Sequence, residues 1–114
     1  MTKRLALVAL ALAPFAAGCG PDCQSTCQKI YGDKPNCGIR SGGDTKVELL
    51  AQCEDQCEQA LEHPGPVGNY KPEERNPSHE SVELETDKQA ALWMDCVDKT
   101  DCKFLDDGYC APIY

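Results

Sequence analysis

The sequence predicts a small all-α domain: a disulfide-stapled helical hairpin followed by a third helix and a short C-terminal helical turn. One observation is that the pattern Cys-x-x-x-Cys occurs twice, at positions 23/27 and 53/57. Residues four apart lie on the same face of a helix, so each pair can point toward a neighbouring helix. The other is that nine cysteines accompany a single tryptophan and two phenylalanines. Small domains with so little apolar surface are commonly held together by disulfides.

The first predicted helix begins after Asp22, whose carboxylate can accept a capping hydrogen bond. An apolar stripe with helical spacing follows, made of Cys23, Cys27, Ile30 and Tyr31. Gly32 is a natural helix stop. Residues 33–43 are rich in turn-forming residues and carry Cys37, so they predict a connection rather than a further helix.

The second predicted helix opens with a capping box at Thr45 and Glu48, in which each side chain bonds the other residue's backbone N–H. One face is then apolar, with Leu49, Leu50, Cys53, Cys57, Ala60 and Leu61. The opposite face is acidic, with Glu54, Asp55, Glu58 and Glu62. His63 and the Pro64-Gly65 pair end the helix, so residues 22–62 form the predicted hairpin.

The stretch 64–85 contains four prolines and two glycines, and no helical or strand period persists through it. Unstructured connections of this length are usually functional or disordered, and disorder is the expectation here. Residues 86–114 then form the predicted third helix and tail. A second capping-box pattern, Thr86 to Gln89, opens that helix, with Leu92, Trp93, Cys96 and Val97 directed inward. Thr100 is expected to cap one more turn over residues 101–106, closed by Gly108.

Two antiparallel helices with equal cysteine spacing can close two level bridges, Cys23–Cys57 and Cys27–Cys53. The crossed alternative, Cys23–Cys53 with Cys27–Cys57, requires parallel helices and a long return, so the antiparallel arrangement is predicted. The other four cysteines allow three connectivities. The preferred one is Cys37–Cys96, which ties the third helix to the hairpin, with Cys102–Cys110 closing the tail.

Over residues 22–62 the cysteine spacing resembles that of the twin CX3C helical hairpins. This group includes plant defence hairpinins and small proteins of the mitochondrial intermembrane space. Members differ in function from one another, so the resemblance implies a scaffold and no particular activity.

Residues 1–18 have the layout of a secretory signal peptide: a basic start at Lys3 and Arg4, an apolar run over 5–17 and small residues before Cys19. The run is shorter than the ~20 apolar residues of a spanning helix, so removal is predicted. Its end, Ala16-Ala17-Gly18-Cys19, resembles the lipobox of bacterial lipoproteins. That resemblance implies that Cys19 becomes the first mature residue, carrying a diacylglyceryl thioether and usually an acyl chain such as palmitate on its amine. The alternative is ordinary cleavage after Gly18, which leaves Cys19 a plain cysteine.

Cysteine parity favours the lipid, because setting Cys19 aside leaves an even number, eight, that can all pair in an oxidising compartment. The mature chain, residues 19–114, is then a single cysteine-rich domain. Leader, hairpin and trailing cysteines together resemble short, uncharacterised cysteine-rich lipoproteins of Gram-negative bacteria. In such lipoproteins, an Asp directly after the lipidated cysteine tends to retain the protein at the inner membrane. This sequence has Gly20 at that position, so the resemblance implies sorting to the outer membrane.

Charge and motif content exclude several function classes. Removing Lys3 and Arg4 with the leader takes the net charge from −8 to −10, which disfavours nucleic acid as a partner. Exported thiols are expected to be oxidised, which disfavours structural zinc, and no Cys-x-x-Cys redox motif occurs. The histidines are interpreted as a helix-end residue, His63, and a solvated residue, His79. The acidic group at 95, 98, 101, 106 and 107 lacks the spacing of an EF-hand and is interpreted as a solvated face.

The sequence therefore predicts no catalytic residues, no cofactor and no metal. The leading hypothesis is a non-enzymatic, lipid-anchored cell-envelope protein with a structural or protein-interaction role. Its expected partners are the membrane, through the lipid on Cys19, and an unidentified envelope protein. One alternative is an inhibitor or ligand-binding module that acts through the loop 64–85. A second alternative is a thiol redox protein.

Overall fold

The computed structural model describes residues 20–40, 42–78 and 82–114, and in these residues the chain is all-α without strands. The helices are α1 (Cys23–Tyr31), α2 (Lys46–Leu61), α3 (Asp87–Lys99) and the short α4 (Cys102–Asp106). The first three pack against one another in every pairing. The predicted fold class is thereby confirmed. The predicted leader and Cys19 lie outside the described residues.

Local capping chemistry sets the starts of α1 and α2. Asp22 accepts a hydrogen bond of 2.7 Å from the Ser25 N–H, while the Ser25 hydroxyl accepts one of 3.0 Å from the Asp22 N–H. The bond from the Ser25 backbone also lowers the pKa of the Asp22 carboxyl. Thr45 and Glu48 form the predicted reciprocal box, with bonds of 3.2 and 2.9 Å. The chain therefore begins both hairpin helices where its local sequence predicts.

At the start of α3, only one of the two hydrogen bonds of the predicted capping box forms. The Thr86 hydroxyl accepts from the Gln89 N–H at 3.2 Å, but the Gln89 side chain does not complete the box. Its amide oxygen instead accepts from the Glu85 N–H at 2.7 Å, and its amide nitrogen donates to the Val67 carbonyl at 2.9 Å. Because Gln89 is buried, its side-chain amide needs hydrogen-bond partners, and it finds them in backbone groups of the neighbouring loop rather than at the start of the helix.

The cap expected at Thr100 belongs to α3 and not to α4. The Thr100 N–H donates to the Val97 carbonyl at 3.3 Å, and its hydroxyl donates to the Cys96 carbonyl at 2.6 Å. Asp101 is the N-cap residue of α4, and its side chain makes no capping hydrogen bond. The helical turn is present where it was expected, beginning one position later.

The core lies between α1, α2 and α3. Its largest fully buried side chains are those of Trp93, Tyr31, Ile30 and Leu49. The inward face of α3 is rotated from the predicted one, because Ala90 and Met94 are buried while Leu92 and Cys96 are only half-buried. On α2, Leu61 is 43% exposed, so the buried stripe of that helix ends at Ala60.

Four disulfides join the eight cysteines of the described residues. Cys23–Cys57 and Cys27–Cys53 form the level bridges of an antiparallel hairpin, with Cα–Cα distances of 5.7 and 5.9 Å. The other two are Cys37–Cys102 and Cys96–Cys110. The preferred pairing of Cys37 with Cys96 and Cys102 with Cys110 is wrong, because the turn after α4 brings Cys110 back beside Cys96 and leaves Cys102 of α4 to pair with Cys37 of the connector.

Lys29 makes the polar connection between α1 and α3. Its ammonium group donates to the Val97 carbonyl at 2.5 Å and the Asp98 carbonyl at 3.1 Å, both in the last turn of α3. Carbonyls at a helix C-terminus carry partial negative charge, so a cation there is favourable. This contact orients the end of α3 toward α1.

Replacing Lys29 with Met keeps the length of the side chain and removes the ammonium group. We expect the free energy of unfolding to fall by about 1–2 kcal/mol, because the Val97 and Asp98 carbonyls lose a charged donor, the first of them in a part-buried bond. Urea denaturation of the disulfide-intact protein measures this change. Lys88→Met is the matched control, since Lys88 is exposed on α3, and its effect should stay within about 0.5 kcal/mol. Equal losses in both variants would contradict a role for the contact.

Candidate functional site

The predicted disulfide cysteines are all accounted for by the four bridges. Cys23, Cys27, Cys53, Cys57 and Cys110 are buried, Cys37 and Cys96 are half-buried, and Cys102 is exposed. None of the eight therefore presents a thiol in the folded chain. Cys19, the predicted lipidation site, is the remaining cysteine of the nine in the sequence and lies outside the described residues.

Trp93 holds the C-terminal tail against the core. Its indole N–H lies 3.0 Å from the carbonyl oxygens of both Cys110 and Pro112, so one donor is shared by two acceptors. The indole is fully buried, and pairing its polar end with the backbone satisfies it. The predicted inward position of Trp93 is thus confirmed, and the same residue also positions the tail.

Two tyrosines continue this attachment. The buried Tyr31 hydroxyl donates to the Tyr114 carbonyl at 2.9 Å and accepts from the Tyr114 N–H. The Tyr70 hydroxyl donates to the Ala111 carbonyl. Burial raises the pKa of the Tyr31 and Tyr70 hydroxyls above its usual range, and raises the pKa of Tyr114 to about 12. These hydroxyls are neutral at physiological pH, and those of Tyr31 and Tyr70 act as donors to the tail.

The expectation of disorder over 64–85 is wrong for the described part of that loop, which is fastened to α3 and the tail at several points. Near its start, the Gly65 N–H donates to the Asp87 carboxylate at 3.2 Å and the Pro66 carbonyl accepts from the Thr86 hydroxyl at 2.9 Å. Further along, the buried Pro72 accepts from the Cys110 N–H at 2.8 Å. Leu84 is buried in the core.

Arg75 and Asn76 attach the middle of the loop to the turn after α4. The Arg75 guanidinium donates to the Asp107 carbonyl at 2.9 Å and lies 3.1 Å from its carboxylate. The Asn76 N–H donates to the Gly108 carbonyl at 2.8 Å. A Cβ on Gly108 would lie 2.8 Å from the Asn76 carbonyl oxygen, and its φ of +111° is one that glycine tolerates. Glycine at 108 permits this close approach.

An open cleft of about 670 Å³ lies among four parts of the chain: the loop, α4, the tail and the connector after α1. Its apolar wall consists of Leu105, Tyr109, Pro112 and Ile113, and its polar rim includes Arg40, Gln56, Asn76, Glu83 and Asp106. Pockets of this size, with mixed apolar and polar walls, suit small ligands or short peptide segments. The cleft is the candidate binding site of the described residues.

Arg40 is the cation at the rim of the cleft. Its guanidinium donates to the Tyr31 carbonyl at 2.7 Å and to the Ile39 carbonyl at 2.9 Å, and lies 3.6 Å from the Asp33 carboxylate. Asp33 also pairs with Lys46 at 2.7 Å, and this partner is the main reason for its lowered pKa. Both cations therefore share one exposed carboxylate.

The other candidate residues have structural surroundings. His63 follows α2 with its Nδ1 2.7 Å from the Gln59 carbonyl oxygen, in agreement with its helix-end interpretation. His79 lies outside the described residues. In the acidic group, Asp95 pairs with Lys99 and Asp107 with Arg75. No three His, Cys, Asp or Glu side chains gather to hold a metal ion within the described ranges. No helix there is long and apolar enough to cross a bilayer.

Sequence reasoning missed the residues that build the cleft. Its walls depend on Trp93, Tyr31 and Tyr70 bonding backbone carbonyls of the tail, and a carbonyl acceptor has no signature in the sequence. The one available signal was the short apolar segment after Cys110, because an apolar tail is more stable when it is covered.

Replacing Tyr31 with Phe should loosen the tail while leaving α1 and α2 in place. The hydroxyl is both donor to and acceptor from Tyr114, so we expect about 1–2 kcal/mol of destabilisation and faster hydrogen exchange at the Tyr114 amide. Denaturant titration and exchange mass spectrometry measure the two effects. Tyr109→Phe provides a control of the same chemistry on a half-buried ring. Unchanged exchange in Tyr31→Phe would contradict the attachment.

No protein-family model, no curated protein and no solved structure matches this chain. The function proposed below therefore depends on the chain's own cysteines, charges and geometry.

Proposed function

We propose that this chain is a non-enzymatic, lipid-anchored protein of the cell envelope that presents a disulfide-stapled helical domain for a structural or protein-interaction role. The observation that carries the proposal is the use of the cysteines. All eight after Cys19 are bonded to one another, and Cys19 alone stands at the end of a signal-like leader. In this proposal the Cys19 sulfur carries the lipid, and export places the other eight cysteines in an oxidising compartment, where disulfides form and persist.

The spacing between the anchor and the domain supports a position close to the bilayer. Asp22 is the N-cap of α1 and stands three positions after Cys19, so the extended chain reaches only about 10 Å. The antiparallel hairpin places the end of α2 beside the start of α1. The connector with Cys37, and the α4 helix bridged to it, then lie at the opposite, outward end of the domain.

The outward parts of the domain are those suited to a protein partner. Phe104 on α4 is 43% exposed and packs edge to face against Tyr109, with ring centres 5.9 Å apart. Tyr109 also belongs to the wall of the cleft. Aromatic residues are enriched at binding hot spots, so this part of the surface favours contact with another envelope protein. The Gly20 position supports sorting to the outer membrane of a Gram-negative bacterium.

Mass spectrometry of the purified intact protein tests the proposal. We expect cleavage before Cys19, a mass increment equal to a diacylglyceryl group plus an amide-linked acyl chain, and a gain of eight hydrogens on reduction. Two or more chains hold a protein stably on a bilayer, so it should also sediment with membranes. Cys19→Ser should lose the lipid while keeping its four disulfides. An unlipidated Cys19 in the exported protein would overturn the proposal.

The order of the loop favours a second candidate, an inhibitor or ligand-binding module acting through residues 64–85. Asn76, Val82 and Glu83 of that loop line the cleft, so a ligand there would contact the loop directly. In this candidate the bonds between the loop and the tail keep the binding surface formed before the ligand arrives, which lowers the entropic cost of binding.

Limited trypsin digestion tests whether the loop is preformed. Within 64–85 the basic residues are Lys71, which precedes a proline, and Arg75, so Arg75 is the useful cleavage site. We expect cleavage there to be slow, and to become several-fold faster in Asp107→Ala, which removes the carboxylate partner of Arg75. Asp106→Ala is the matched control. Rapid cleavage of the unmodified protein would instead support a simple connector.

A further inference from the structure

The four disulfides differ in how far solvent reaches them. Cys27–Cys53 is fully buried, and Cys23–Cys57 is nearly so. In Cys96–Cys110, Cys110 is fully buried, and its sulfur lies 3.3 Å from the Thr100 hydroxyl. Cys37–Cys102 joins a half-buried residue to an exposed one. A thiolate must approach a sulfur directly to open a disulfide, so exposure decides which bridge reacts first.

The Cys37–Cys102 bridge also connects two segments that have little else between them. Among the described residues, no hydrogen bond or ion pair joins residues 33–40 of the connector to residues 101–107. The connector is bonded to α1 instead, through the Cys37 N–H to the Lys29 carbonyl at 2.8 Å and the Ile39 N–H to the Ile30 carbonyl at 2.9 Å. Opening the bridge would leave these bonds intact.

The segment with α4 has its own separate attachments. Cys96–Cys110 closes residues 96–110 into a loop on the end of α3, and the bonds at Asp107 and Gly108 attach this loop to residues 75 and 76. The hairpin keeps its two buried bridges. Leu105 of α4 is also buried in the core. Loss of the Cys37–Cys102 bond would therefore remove the covalent link between α4 and the connector, while Leu105 still holds the helix to the core.

This bridge links two segments that both line the cleft. Arg40 and Gly42 of the connector and Leu105 and Asp106 of α4 are among its lining residues. A covalent bond between Cys37 and Cys102 thus limits how far these two segments can separate.

We propose that Cys37–Cys102 is a thiol-exchangeable bridge that gates the cleft, with a dithiol reductant of the envelope as its co-reactant. A thiolate of the reductant attacks Cys102 Sγ and forms a mixed disulfide, and Cys37 leaves as a thiolate. The second thiol of the reductant resolves the mixed disulfide, so Cys102 is released and the reductant becomes its own disulfide. Two electrons pass to the bridge, and the protons of the two reductant thiols balance the two new thiols. This exchange does not require lipid on Cys19.

Graded reduction of the full mature protein with dithiothreitol, followed by alkylation and peptide mapping, tests the proposal. We expect Cys37 and Cys102 to be labelled first, at least roughly tenfold faster than any other pair, since exchange rates depend on access. Hydrogen exchange of the singly reduced species should rise over residues 102–107 and stay unchanged in α1 and α2. First labelling of another pair, simultaneous labelling of all eight, or loss of protection in α1 would overturn it.

Variants give an independent measurement. Cys37→Ser combined with Cys102→Ser should keep three bridges and native helix content, and should show the same local exchange over 102–107 without any reductant. The matched pair, Cys96→Ser with Cys110→Ser, places a hydroxyl at the fully buried position 110 and should lower the unfolding midpoint far more. A Cys37/Cys102 variant that unfolds as completely as this control would contradict a local role for the bridge.

Discussion

The two bridges between α1 and α2 are the constraint from which the rest of the domain is built. Cys23–Cys57 and Cys27–Cys53 hold the two helices at a fixed separation and register. Each such bond typically contributes ~2–4 kcal/mol, a large share of the net stability of a small domain. Against this fixed pair, α3 can bury Trp93 completely, and Trp93 in turn holds the tail. Without the hairpin, a core with so few large side chains would have no stable surface on which to form.

The parts of the fold that depend on neighbouring residues were predictable from the sequence. Asp22 and Thr45 begin their helices as expected, because capping is decided within three residues. The hairpin bridges follow from the equal four-residue spacing, which is again a local property. Gln89 shows where this reasoning fails: the expected local bond competes with the Glu85 N–H and the Val67 carbonyl, which tertiary packing brings to it.

The features that sequence reasoning missed depend on contacts between distant positions. The pairing of Cys37, Cys96, Cys102 and Cys110 is decided by the turn after α4, where Cys110 adopts a positive φ of 59°. The order of the loop depends on main-chain atoms of the tail, such as the Cys110 N–H that bonds Pro72. Any residue supplies such atoms, so neither composition nor periodicity indicates them. The same holds for the cleft, whose walls exist only once loop and tail have packed together.

The position of Cys23 as the first residue of α1 has a mechanical consequence. A tensile load applied to the chain before Cys23 passes through its sulfur to Cys57, near the end of α2, without stretching α1. Cys27–Cys53 lies outside this direct path and forms a second covalent link between the two helices. Hydrogen bonds of the hairpin therefore carry little of the load, and the domain should resist extension from that side as a short, nearly inextensible block.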